Sequence, residues 1–197
     1  MKFFQHRTAW IAAGLVLLMA ATRFNHFGTA FALPDASLAV FFLGGLYLAK
    51  FPRASVLLLT ALLLEAGAVD YYATAVQGIS DWCITPAYGF LIPAYASLWF
   101  TGRWFARHHT MEGRGLVWLA VSAWGASSLA FVLSNAGFYL FSGRFADMAV
   151  TEYVSRVSEY YGSYVSVAMF CIGCAVVAQM MFSILRRDKI QHGSPAA

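Results

Sequence analysis

Charge is what this sequence lacks most. Of its 197 residues only 11% are Asp, Glu, Lys or Arg, while 60% are hydrophobic. A soluble domain carries roughly 25% charged residues. A globule of this size cannot hide so many apolar side chains in its own core, so lipid must solvate some of them. Cysteine is scarce and odd in number: Cys83, Cys171 and Cys174 imply no disulfide framework and leave at least one free thiol. No Walker A loop, H-E-x-x-H or G-x-S-x-G is present, which excludes ATP binding by a P-loop. Any energy source must come from a partner or a gradient. There is no internal repeat. The net charge of +4 does not point to nucleic acid, because the Lys and Arg residues fall between apolar runs, as the positive-inside bias predicts.

Six apolar segments are there instead, over residues 8–22, 36–51, 54–69, 86–102, 115–141 and 164–185. They predict an all-α polytopic membrane protein, one transmembrane domain over 1–190, followed by a disordered tail over 191–197. Several segments fall short of the ~20 residues that cross a hydrocarbon core, which local thinning and snorkelling cations accommodate. The first 21 residues share the plan of a signal peptide, but removing them would leave five spans and break the charge asymmetry. With both ends in the cytoplasm, Lys2, Arg7, Lys50, Arg53, Arg103, Arg107, Arg114, Arg186, Arg187 and Lys189 lie inside, and only Arg23, Arg144 and Arg156 lie outside. The outer segments, over 23–34, 70–85 and 142–162, are longer and chemically richer than the inner ones. In the last of them Tyr153, Val154, Val157, Tyr160 and Tyr161 predict a short interfacial amphipathic helix.

The stretch Asp81-Trp82-Cys83-Ile84-Thr85-Pro86 sets a single thiol just before the fourth span, where Pro86 suits a first helical turn. A thiolate is a soft ligand for soft or borderline metals. Asp81 disfavours that thiolate by charge, and a bound cation reverses the balance. The plainer reading of Cys83 is a small residue packed at a helix start. Asn25 and His26, after the first span, offer donors and acceptors beside aromatic surface; a helix end satisfying its own carbonyls accounts for them as well. Asp70, Tyr71, Tyr72 and Tyr88 suit an interfacial aromatic belt, and equally the flat walls of a site for a large organic ligand. Glu65 is an ionisable group inside the third span, read as a cavity wall or a tie between helices. Cys171 and Cys174 form C-x-x-C within an apolar helix, where packing outweighs redox work. Small residues at Ala9 and Ala13, Gly44 and Gly45, and around Gly125 predict close helix approach.

Arg23-Phe24-Asn25-His26-Phe27-Gly28, the Gly44 and Gly45 helix, and Ser80-Asp81-Trp82-Cys83-Ile84-Thr85-Pro86-Ala87-Tyr88 followed by Gly102-Arg103-Trp104 resemble BtuM. That family comprises small cobalamin-specific proteins related to the S-components of energy-coupling factor (ECF) vitamin transporters. The resemblance implies a six-helix S-component fold in a bacterial inner membrane, with a cavity open to the periplasm. It implies that Cys83 ligates the cobalt of cobalamin, and that this cysteine supports decyanation of cyanocobalamin. Asn25, His26, Asp70, Trp82 and Tyr88 are the companion site residues. It also implies docking of an ECF scaffold with its ATPase module near Ala9 and Ala13, although many members are solitary. Two other functions fit the residues: an S-component for another vitamin, and a membrane thiol-disulfide oxidoreductase built on Cys171 and Cys174.

Overall fold

The computed structural model describes residues 2–23, 34–78, 80–82 and 84–192, with side chains for those among them from 8 to 185. Among them are six α-helices and no strand: α1 (Lys2–Arg23), α2 (Ser37–Tyr47), α3 (Pro52–Ala75), α4 (Leu91–His108), α5 (Arg114–Phe141) and α6 (Val150–His192), with a 3₁₀ helix over Pro86–Phe90 leading into α4. Three stretches are long and apolar enough to cross a membrane: Pro52–Ala75, Arg114–Phe141 and Val150–Leu185. Thr8–Arg23 and Ser37–Tyr47 are shorter apolar helices. The outer faces of the bundle are apolar as well. Leu57, Leu64 and Phe170 are 71%, 70% and 72% exposed, which suits lipid and not water.

The central element is the shortest helix. Every residue of α2 from Ser37 to Leu46 is buried, so lipid and solvent are both excluded from it. The sequence predicts this helix over 36–51, but it stops at Tyr47. The residue before a proline is driven out of the helical region, and Phe51 accordingly sits at φ −122°, ψ 80° ahead of Pro52. Pro52 then opens α3 in its first turn, where its missing N–H costs nothing.

Glycines bring α4 onto α2. A Cβ on Gly45 would lie 1.9 Å from the Trp99 carbonyl oxygen, and one on Gly102 would lie 2.2 Å from that of Phe42. Close approach is therefore built from both sides, and it seals a core in which Phe41 stacks on Tyr95 with ring centroids 4.1 Å apart. Trp99, Phe42 and Phe105 are fully buried around that stack.

The last helix departs furthest from expectation. The segment read as a separate interfacial helix is continuous with the apolar run 164–185, in one helix of 43 residues. No proline interrupts Val150–His192, so nothing in the backbone breaks the i→i+4 ladder. Tyr153 anchors its first turns to α5 by donating to the Asn135 carbonyl at 3.0 Å. Helix also runs through Gln191 and His192, inside the tail predicted over 191–197; residues 193–197 lie outside the described ones.

Candidate ligand site around Arg23 and Asp70

Arg23 ends α1, where a cation complements the negative end of the helix dipole. It is 6% exposed, and a buried guanidinium needs partners for its donors. Asp70, near the end of α3, supplies two of them. Arg23 Nε donates to Asp70 Oδ1 at 2.9 Å and Nη2 to Oδ2 at 2.5 Å. Nη1 donates to Tyr95 Oη at 2.7 Å and to Ser37 Oγ at 3.1 Å. Asp35 Oδ2 stands 3.7 Å from Nη1, while Asp35 Oδ1 accepts from the Ser37 backbone N–H and hydroxyl at 2.9 and 2.6 Å. Tyr88 completes the cluster by donating to Asp70 Oδ2 at 2.7 Å.

The local chain explains why these groups meet. Thr22 Oγ1 accepts from the Ala36 N–H at 3.2 Å, tying the start of α2 to the end of α1. Asp35 and Ser37 thereby arrive beside Arg23. Pro86 starts the 3₁₀ turn that brings Tyr88 to α3. The carboxylate of Asp70 is thus held by two charge-assisted bonds and a phenol, the geometry that makes a buried pair tolerable.

This cluster walls a cavity of about 490 Å³, within the range of small-molecule sites. Leu38, Leu91, Phe138 and Val167 supply its apolar surface. Ser134 and Asn135 from α5, with Tyr160, Ser163 and Tyr164 from α6, supply hydroxyl and amide groups facing the ion pair. A ligand with a broad apolar face and a polar rim matches such walls.

The residues singled out in the sequence fall into three groups. Asp70 and Tyr88 line the cavity. Trp82 does not; it is 51% exposed, and the Arg144 guanidinium lies 3.9 Å from its ring centroid. Arg144 Nε also donates to the Trp82 carbonyl at 3.0 Å, which ties the segment before the 3₁₀ helix to the loop between α5 and α6. Asn25, His26 and Cys83 lie outside the described residues. Among the described residues no group of three or more His, Cys, Asp and Glu side chains could hold a metal ion.

Other candidates lie away from the cavity. Both carboxylate oxygens of Glu65 are buried without a hydrogen-bond partner among the described residues. Cys171 is half-buried and Cys174 is exposed; both thiols are free. Ala9 and Ala13 are exposed on α1.

The sequence reading missed Arg23 as a site residue, along with Asp35, Ser37 and Tyr95. Only the ion pair left a trace: Arg23 and Asp70 close two apolar segments at the same predicted depth, which permits a pairing that helix packing must then select. The chain matches no protein-family model and no curated protein.

Proposed function

We propose that this chain is a corrinoid uptake protein of BtuM type, with six helices crossing a bacterial inner membrane and both ends in the cytoplasm. The observation that carries the reading is the cavity over the Arg23–Asp70 cluster. Its aromatic, hydroxyl and amide walls suit a ring rimmed with amide side chains. Residues that flank Cys83 in sequence belong to this end of the bundle: Tyr88 lines the cavity and Trp82 is held by Arg144 beside it. A complete corrinoid exceeds about 490 Å³, so the substrate occupies the cavity with one edge and extends into its mouth.

The charge pattern supports the orientation. The three cations assigned to the outer side are each engaged there: Arg23 with Asp70, Arg156 with Glu152 at 2.7 Å, and Arg144 with Trp82. Exposed cations that bias topology, such as Lys50, Arg53 and Arg107, cluster toward the other end. The short α2 and α4 and the short apolar stretch Thr8–Arg23 of α1 are accommodated by bilayer thinning and by burial of α2 within the bundle.

In this reading Cys83 provides an axial thiolate to cobalt. A corrin already fills the equatorial positions, so one protein ligand suffices and no cluster of His or carboxylates is required. Asn25, His26 and Trp82 contact the exposed part of the substrate, and Asp70 and Tyr88 contact the inserted edge. Decyanation of cyanocobalamin is the second activity proposed for the same sulfur. The direct test is uptake in a bacterium that lacks its own cobalamin importer and grows only when cobalamin enters. The wild-type chain restores growth on limiting cobalamin, and Cys83→Ser does not. Failure of the expressed, membrane-inserted wild type to restore growth removes the reading.

A further inference from the structure

A second concave surface lies at the opposite end of α1 and α3 from the Arg23–Asp70 cluster. It is a groove of about 650 Å³, bounded by Ala9 and Ala12 of α1, by Leu57, Leu58 and Ala61 of α3, and by the α2–α3 connection. Nearly all of its surface is apolar. Its charged lining residues are Lys50 and Arg53, both exposed, and no acidic residue lines it. No ion pair holds either cation among the described residues.

We propose that this groove binds an anionic phospholipid, with an acyl chain along Ala9, Ala12 and Ala61 and the phosphate between Lys50 and Arg53. The argument is one of charge and shape together. A trench lined by alanines and leucines at membrane depth accepts a hydrocarbon chain, and it ends at two cations of one sign. Such a juxtaposition selects an anionic headgroup over a zwitterionic one, whose own cation would meet Lys50 and Arg53. An apolar protein helix is a poorer occupant, because it would cover both cations without bringing them a counter-charge. A lipid headgroup leaves them hydrated at the interface. The proposal requires only that the chain resides in a bilayer and stands apart from the corrinoid reading.

Native mass spectrometry of the full-length protein in detergent tests it. The probes are phosphatidylglycerol and phosphatidylcholine with identical acyl chains. Phosphatidylglycerol adducts form at about 30-fold lower lipid concentration than phosphatidylcholine adducts. In the Lys50→Gln/Arg53→Gln protein phosphatidylglycerol affinity falls by about 30-fold, as two interfacial cations warrant, while phosphatidylcholine binding is unchanged. Arg107→Gln, an exposed cation outside the groove, leaves the preference intact. Ala61→Phe, which fills the trench, weakens both lipids. Equal affinity for the two lipids in the wild type overturns the proposal, as does a preference that survives in the double variant. A photocrosslinker at Ala61 that captures a polypeptide in place of phospholipid also overturns it.

Discussion

Arg23 and Asp70, 47 residues apart, meet in a two-pronged ion pair at 2.9 and 2.5 Å that joins the end of α1 to the end of α3. The pair is buried on both sides, and Tyr88, Tyr95 and Ser37 complete its hydrogen bonding. It forms the polar floor of the candidate cavity, so its integrity bears on stability and on binding together.

Asp70→Asn takes away the two-pronged partner of Arg23 and leaves Asp35, 3.7 Å away, as its carboxylate, so the cost approaches without exceeding the about 3–5 kcal/mol of a fully uncompensated buried charge. Asp70→Asn therefore lowers the unfolding temperature in detergent. The double variant Arg23→Met/Asp70→Leu loses less than Asp70→Asn alone, because no under-compensated guanidinium remains. Thermal unfolding of the single and double variants checks this; a double variant less stable than Asp70→Asn contradicts it.

Tyr88→Phe removes one hydrogen bond to a carboxylate that keeps its two guanidinium bonds. The expected loss is about 1.5–3 kcal/mol, the range for bonds to charged groups. Unfolding midpoints measured beside those of Asp70→Asn rank the two, with Tyr88→Phe the milder.

The glycines of α2 are distinguishable from those elsewhere. Gly45→Ala drives a methyl into the Trp99 backbone, which a rigid helix cannot relieve, and overpacking costs about 1–3 kcal/mol or more. Gly67→Ala in α3 meets nothing within 4 Å and gains helix propensity, so it is neutral or stabilising. Comparing the two unfolding temperatures is sufficient.

Arg144→Ala releases Trp82. The cation–π contact and the bond to the Trp82 carbonyl are both lost, worth about 0.5–1 kcal/mol for the exposed stacking contact. Hydrogen–deuterium exchange in peptides containing Trp82 rises, while that in α2 stays unchanged. Unaltered exchange at Trp82 contradicts the assigned tie.

Much of the helical plan was legible because apolar runs are a strong, local signal. The run 115–141 is within a residue of α5, and Pro86 marks the turn into α4. The early stop of α2 was also written locally, in Phe51-Pro52, but a continuous apolar run masked it. The continuity of α6 was missed because a change from polar to apolar residues at Gly162 does not break a helix; only backbone chemistry does.

The site was legible in outline and not in its centre. Asp70 and Tyr88 could be named because they stand at span ends among aromatics. Arg23 was counted only as an outward cation, since its partner is fixed by how α1 packs on α3, which no local pattern encodes. Ser37 and Tyr95 belong to helices whose faces are assigned by tertiary packing alone.

The sulfur–cobalt bond proposed for Cys83 is read most directly by absorption spectroscopy of bound corrinoid. Wild-type protein, purified and titrated with cyanocobalamin, shifts the corrinoid bands as the axial ligand changes, and Cys83→Ser does not reproduce the shift. A Cys83→Ser protein that moves the bands as wild type does, or a wild type that leaves them unmoved at saturating corrinoid, contradicts the account.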